Sequence, residues 1–201
     1  MPVLDFWLEF ASTYSYLAAM RVDGVARKAG VEVNWRPFLL GAIFKKQGWE
    51  TSPFNIFEDK GRHMWRDLER QTEAQGLAFR RPDPFPQPSL LPARLALTAS
   101  IAPVKPSFCR AVFAMEFGEG RPIGEAETMS DILRLLDVDP DQALREAQSE
   151  GVKQKLREQT DEAQRRSVFG APTFLTQDGE LFWGNDRLES AVAWAARQGS
   201  N

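Results

Sequence analysis

The first forty residues set the fold that this chain can adopt. Residues 3–10, VLDFWLEF, alternate with a period of two, which is typical of a β-strand. Apolar residues then recur at helical spacing from Tyr16 to about Ala29, and residues 31–38, VEVNWRPF, alternate again. Strand, helix and strand with short connections predict a βαβ unit, in which the two strands are parallel and the crossover is right-handed.

The C-terminal end predicts a different unit. In TFLTQDGELFW, two short apolar runs flank Asp178-Gly179, which is a strong hairpin signal. Gly184-Asn185-Asp186 then supplies a turn and an N-cap, and the apolar pattern from Leu188 to Ala196 predicts a final helix. The chain is therefore expected to end in a ββα unit.

Helical patterns fill the segment between these two ends. They cover residues 62–76, 90–101, 107–117, 125–136, 140–149 and 152–167, with a proline-rich loop, RRPDPFPQPSLLP, after the first. A βαβ start, a ββα end and a helical middle predict an α/β protein with a thioredoxin-like fold. We expect one domain over residues 1–201, with a large α-helical insertion at about 62–165.

Composition and rare residues exclude several classes of protein. The chain of 201 residues is 43% hydrophobic and 26% charged, as in ordinary globular proteins, and its net charge of -3 gives no reason to expect a nucleic-acid or membrane surface. With one Cys and one His, an intrachain disulfide, a CxxC redox centre and a Cys/His zinc site are all excluded. A carboxylate metal site stays open, but no spacing argues for one. The N-terminus lacks the pattern of a secretory signal, so the cytoplasm is the expected compartment.

Ser12 lies at the junction between the first strand and the first helix. It can be a plain N-cap, but a helix N-terminus also favours a nearby anion, to which a serine hydroxyl can donate a hydrogen bond. If that anion is a ligand's thiolate, lowering a thiol pKa by about two requires about 2.7 kcal/mol. A hydrogen bond to a charged group supplies about 1.5–3 kcal/mol, and the helix terminus about 0.3–1. The hydrogen bond and the helix terminus together can supply this free energy without a metal or a histidine.

Ala171-Pro172 precedes the first strand of the predicted hairpin. A proline there costs no ladder hydrogen bond, so a loop proline at a strand start is one reading. The other is a cis Ala171–Pro172 peptide bond that leaves the Ala171 N–H and C=O free to pair with an extended peptide ligand.

Five segments together resemble a known family. These are FWLEFASTYSYL, VNWRPFLLGAIFKKQG, KGRHMWRDLER, VFGAPTF and LFWGNDRLE, in this order along nearly the whole chain. The chain resembles the 2-hydroxychromene-2-carboxylate isomerases and their relatives, the kappa-class glutathione transferases. The resemblance implies a DsbA-like thioredoxin fold with a helical insertion, glutathione as cofactor, and a homodimer.

The resemblance also implies roles for individual residues. Ser12 would hydrogen-bond the glutathione sulfur, and Ala171 before Pro172 would pair with the cysteinyl backbone. Asn185 and Asp186, which could also be only a helix cap, would bind the γ-glutamyl end. Lys60, otherwise a surface charge, would lie near the glycine carboxylate or the substrate acid.

The chain departs from the family pattern in three places. Thr13 stands where the family often has proline. Trp49 stands where many members have an asparagine, whose contact Asn55 could supply instead. His63 replaces a common aromatic or apolar residue, and an exposed helical histidine is expected there rather than a general base. Cys109 is expected to be a buried small apolar residue.

These observations predict a glutathione-dependent isomerase that acts on an intermediate of aromatic catabolism. Glutathione thiolate would add reversibly to the substrate, a small aromatic or enone-type molecule. The candidates for the wall of its pocket are Tyr14, Trp49, Trp65 and Phe85. Two alternatives stay open: a kappa-like glutathione transferase or peroxidase, and a non-catalytic protein of the same fold that binds an acid or a peptide.

Overall fold

The computed structural model describes residues 1–46, 48 and 51–198. Its strands are β1 (Val3–Leu8), β2 (Glu32–Pro37), β3 (Thr173–Thr176) and β4 (Leu181–Trp183). The helices before the proline-rich loop are α1 (Thr13–Lys28), α2 (Leu40–Lys46), α3 (Pro53–Ile56) and α4 (Glu58–Gln75). Those after it are α5 (Leu90–Leu95), α6 (Lys105–Phe113), α7 (Ala126–Leu135), α8 (Pro140–Gln148), α9 (Glu150–Arg165) and α10 (Leu188–Gln198). Short 3₁₀ turns cover Ala102–Val104 and Asn185–Arg187, and a π-helical turn covers Ala114–Gly118.

The four strands form one mixed sheet in the order β2-β1-β3-β4. β1 pairs with β2 in parallel, β3 pairs antiparallel with β1, and β4 pairs antiparallel with β3. The predicted βαβ and ββα units are thus confirmed, as is the thioredoxin-like fold that they define. Helices begin at Leu40, directly after β2, and continue to Arg165 before the chain returns to β3.

The alternation in β1 separates two cores. Leu4, Phe6 and Leu8 are buried in the larger core with α1 and the helical middle. Trp7 faces the opposite side and packs with Phe38 in a smaller core. Because β1 is an inner strand with both faces covered, its second face is buried as well, although the sequence pattern alone does not require it.

Ser12 fixes the start of α1. Its backbone is extended and its Oγ accepts a hydrogen bond from the Ser15 N–H at 3.2 Å, as an N-cap does. The helix therefore begins at Thr13, three residues earlier than the apolar pattern from Tyr16 predicts. No helix in the described part of the chain is long and apolar enough to cross a bilayer.

Gly61 lets α3 lie directly against α4. A Cβ built at Gly61 would meet the Phe54 carbonyl oxygen at 2.3 Å, whereas one at Gly24, in α1, meets nothing within 4 Å. Both glycines are inside helices, where alanine is better by about 0.5–1 kcal/mol. We expect Gly24→Ala to stabilise the protein and Gly61→Ala to destabilise it, because the latter pushes backbone against backbone. Urea unfolding of the two variants measures the difference, and equal stabilisation by both would contradict the close contact.

Candidate functional site

A cavity of about 1250 Å³ opens above the start of α1. It is larger than the roughly 300–1,000 Å³ of common ligand sites, so a small molecule can bind beside a second one. Its lining comes from residues 9–14 at the start of α1, residues 39–44 around the start of α2, residues 51–54, one face of α4, residues 85–90, and residues 169–172 and 183–186 on either side of the β3–β4 hairpin. The lining is largely apolar, and polar side chains reach it from the start of α1, from α4, from residues 87–89 and from residues 185–186.

Ser12 and Ala171 meet at the base of this cavity. The Ala171–Pro172 peptide bond is cis, which confirms the sequence expectation. The Ser12 Oγ donates a hydrogen bond to the Ala171 carbonyl oxygen at 3.0 Å. The expectation that this carbonyl is free was therefore wrong: the serine hydroxyl, held close by the turn, already occupies one of its two lone pairs. A ligand N–H that bonded this oxygen could release the hydroxyl to turn toward the cavity.

A polar network runs along one wall from α1 to α4. The Tyr14 hydroxyl donates to Asp67 at 3.0 Å, and the Gln71 side-chain amide donates to the same carboxylate at 2.7 Å. Partial burial of Asp67 works against its ionised form, but hydrogen bonds from Tyr14, Gln71 and Arg70 outweigh it and lower the Asp67 pKa. Burial, followed by the bond to Asp67, raises the pKa of Tyr14, so its hydroxyl keeps its proton. The wall thus presents a fixed carboxylate and a neutral phenol.

Asn185 is the far end of this network. It is buried, its amide nitrogen donates to the Gln71 Oε1 at 3.0 Å, and its oxygen accepts from Arg21 at 3.5 Å. Asp186 is exposed and lines the cavity rim. The two predicted γ-glutamyl ligands therefore differ: Asp186 is open to a ligand, whereas the Asn185 side chain is already engaged.

Lys60 lies at the cavity mouth on the first turn of α4. Its ammonium stands 4.6 Å from the centre of the Phe57 ring, and Lys60 lines the cavity. Within the described residues it is the cation of the lining, which suits it to a carboxylate.

Of the remaining predicted pocket residues, some line the cavity and others pack behind its lining. Phe85 lines the cavity. Trp65 does not: it packs edge to face against Phe85 at 4.7 Å and supports it from behind. Asn55 also lies outside the lining, because its amide donates to the Phe85 carbonyl at 3.0 Å and so holds the loop rather than a ligand. Trp49 lies outside the described residues.

The two rare side chains are not part of the cavity lining. Cys109 is fully buried, and burial raises the pKa of its thiol to about 12, which keeps it inert at neutral pH. His63 is exposed on α4. Both placements agree with the sequence expectation.

Sequence reasoning missed two features of the site. Asp67 and Gln71 follow Lys60 at seven and eleven residues, a spacing that puts all three on one face of α4 and could have revealed them. Glu9 in the cavity lining and Glu116 are both buried carboxyls, and the charge of Glu9 raises the pKa of Glu116. A single glutamate in the apolar run AVFAMEF was the available signal for Glu116.

The fold and the site together define a thioredoxin-fold protein without a redox cysteine at its active position. The chain matches the model of the DSBA-like thioredoxin domain over residues 3–193 and belongs to that family. It is 26% identical over 210 residues to glutathione S-transferase kappa 2 of Caenorhabditis elegans, covering 96% of this chain and 92% of that one.

Two further comparisons concern isomerases. The chain is 26% identical to a 2-hydroxychromene-2-carboxylate isomerase of Sphingobium xenophagum, covering 92% and 94% of the two chains. A solved structure of a 2-hydroxychromene-2-carboxylate isomerase superimposes with a TM-score of 0.86 at 26% identity, over 98% of each chain. The chain is thus similar to both enzyme groups that its sequence resembles, and to neither at high identity.

Proposed function

We propose that this protein is a glutathione-dependent isomerase whose nucleophile is the thiolate of bound glutathione. The observation that carries the proposal is the Ser12 hydroxyl, which caps α1 beside the Ala171–Pro172 turn in a cavity whose described lining contains no cysteine. The names of the similar isomerases and kappa-class transferases support glutathione as the ligand.

Binding of the tripeptide would rearrange one hydrogen bond. An extended peptide bonds to exposed backbone as an added strand does, so its cysteinyl N–H would bond the Ala171 carbonyl. The Ser12 hydroxyl can donate one hydrogen bond and would then donate it to the sulfur instead. The N-terminus of α1 adds its partial positive charge, and both effects favour the thiolate over the thiol.

The two ends of the tripeptide fit the two polar regions of the cavity. The α-amino group of the γ-glutamyl end would meet the carboxylates of Asp67 and Asp186, and the glycine carboxylate would meet Lys60. The apolar remainder, including Phe85 and Leu90, would hold a flat conjugated substrate.

The reaction follows from these positions. The thiolate adds to an electron-poor carbon of the substrate, a single bond of the adduct rotates, and elimination restores glutathione. A kappa-like transferase is the second candidate, favoured by the similarity to the kappa-class enzyme. It would use the same thiolate but keep it in the product.

Calorimetric titration with glutathione and with S-methyl glutathione tests the proposal. We expect glutathione to bind more tightly, because S-methyl glutathione cannot ionise at sulfur and so cannot use Ser12 and the helix terminus fully. Assay against hydroxychromene carboxylate should give isomer with no net loss of glutathione; consumption of glutathione would favour the transferase. Absence of glutathione binding would overturn both.

A further inference from the structure

Two buried carboxyls, one of them in the cavity lining, have no part in the function proposed above. Glu9, directly after β1, is 6% exposed and lines the cavity. Its backbone carbonyl accepts the Ser12 N–H at 3.0 Å, so Glu9 and Ser12 are the first and last residues of one turn. Glu116, in the π-helical turn, is completely buried, and neither of its oxygens has a hydrogen-bond partner among the described residues.

The hydrogen-bond donors around Glu9 and Glu116 decide which of the two carboxyls is charged and which is protonated. Glu9 accepts hydrogen bonds from the Leu40 N–H at 2.7 Å and the Ala11 N–H at 3.4 Å, which suit a carboxylate. Glu116 has no donor to stabilise a charge, and both burial and the charge of Glu9 raise its pKa. Burial also raises the pKa of Glu9, against its hydrogen bonds. Because N–H donors surround the carboxyl of Glu9 and none reaches that of Glu116 among the described residues, we assign a single charge on this pair to Glu9 and the proton to Glu116.

We propose that Glu9 accepts the thiol proton of bound glutathione and passes it on to the substrate, with Glu116 as the neutral acid behind it that keeps the pair at a single charge. This inference rests on the proposed function. It answers a question that Ser12 leaves open, because a hydroxyl that stabilises a thiolate does not remove the thiol proton.

The proton and the electron pairs balance over one cycle. The glutathione S–H bond breaks, its proton moves to a Glu9 oxygen, and sulfur keeps the electron pair. That pair forms the carbon–sulfur bond, the conjugated π electrons move to the substrate oxygen, and this oxygen takes the proton from Glu9. In elimination, Glu9 takes the proton back, the carbon–sulfur bond breaks and the thiolate is restored.

Other titratable groups face the same cavity from its far wall. They are Tyr14 on α1, Lys60 and Asp67 on α4, and Asp186 after β4. Tyr14 keeps its proton and Asp67 stays ionised, as their pKa shifts indicate, so neither exchanges a proton at neutral pH. Among the carboxyls lining the described cavity, Glu9 combines burial with a raised pKa, as a base poised for proton transfer requires.

Counting protons during glutathione binding tests the inference on the unaltered protein. Titration at pH 7 in buffers of different ionisation enthalpy gives the protons released, and ultraviolet absorbance gives the thiolate formed. Free glutathione is mostly protonated there, so a thiolate whose proton left for solvent would release about one proton. We expect thiolate with almost no release. Release of a full proton would overturn the role of Glu9.

Matched variants separate the two carboxyls. Glu9→Gln should still bind glutathione, release the full proton, and lose about 10²-fold in turnover, with the acid limb of the pH–rate profile moved to the pKa of the bound thiol. Glu116→Gln keeps a neutral group in place, so the pair keeps its single charge and the acid limb of the pH–rate profile should stay where it is. Glu119→Gln, an exposed neighbour of the same turn, is the control and should behave as the unaltered protein.

The outcomes distinguish this inference from the proposed function. The inference about Glu9 would be wrong if Glu9→Gln bound glutathione and kept normal turnover with an unchanged acid limb. The proposed function would not be affected by that result. Loss of turnover in Glu116→Gln but not in Glu9→Gln would defeat the assignment of charge and proton. If the unaltered protein binds no glutathione, the proposed function fails and this inference fails with it.

Discussion

Replacing Ser12 with alanine is expected to lower turnover by about 10²-fold while glutathione still binds. One hydrogen-bond donor to an anion in a site sheltered from water contributes about 2.7 kcal/mol or more to the stabilisation of that anion. Alanine removes the donor but leaves the Ala171–Pro172 turn and the N-terminus of α1 in place. The thiolate fraction of bound glutathione should fall with the rate, and absorbance of the thiolate measures it directly.

The cap that Ser12 provides requires a second comparison. Its Oγ accepts the Ser15 N–H, so Ser12→Ala also destabilises α1, by about 0.5–2 kcal/mol. Ser12→Gly lacks the hydroxyl but costs the helix only a few tenths of a kcal/mol at this position. Both variants should lose turnover equally, whereas Ser12→Thr, which keeps a hydroxyl, should recover part of it. Near-normal turnover in Ser12→Gly would remove this hydroxyl from the mechanism.

Ser15 is a natural control in the same turn of α1. Its hydroxyl is fully buried and has no hydrogen-bond partner in the described part of the chain. It does not line the cavity. Ser15→Ala is therefore expected to keep turnover and thiolate formation, which would show that position, and not the number of serines near the helix start, decides the effect.

The parts of the fold that were predictable are those with a local cause. The alternation of residues 3–10, the turn at Asp178-Gly179 and the hydroxyls around Ser12 each act within a few residues, and each gave the element that the structure contains. The resemblance to a family placed Ala171 beside Ser12 across the chain. No local pattern in this sequence carries that information, since 159 residues separate the two partners of their hydrogen bond.

The parts of the site that were not predictable depend on packing between distant elements. Asn55 was expected to be a ligand, but the loop that passes over it supplies a backbone carbonyl, which its amide binds instead. Glu9 continues the alternation of the first strand and looks solvent-facing by that pattern, yet it is buried in the folded chain. Its interaction with Glu116, more than a hundred residues away, arises only because the π-helical turn packs against α1.

Replacing Glu116 with glutamine is expected to make stability less dependent on pH. Burial, reinforced by the charge of Glu9, raises the pKa of Glu116 well above its ordinary value of 4.5, which it regains in the unfolded chain. Between these two pKa values the folded protein holds a proton that the unfolded chain has lost. The free energy of unfolding therefore falls as pH rises through this window, by about 1.4 kcal/mol per pH unit for one proton.

The sign of this effect separates Glu116 from surface carboxylates such as Asp131 and Glu150, whose pKa values are lowered by hydrogen bonds from Arg121 and Lys153 and which stabilise the fold as pH rises. Urea unfolding from pH 4 to pH 8 should show Glu116→Gln nearly as stable as the unaltered protein at the acid end and more stable at the alkaline end. Glu119→Gln should keep the original slope.

Because Glu9 also has a raised pKa, a smaller slope of the same sign should remain in Glu116→Gln and disappear only when both are replaced. If the slope of unfolding free energy against pH were unchanged in Glu116→Gln, the folded protein would have to ionise Glu116 as readily as the unfolded chain does. That result would contradict the burial of Glu116 without a hydrogen-bond donor.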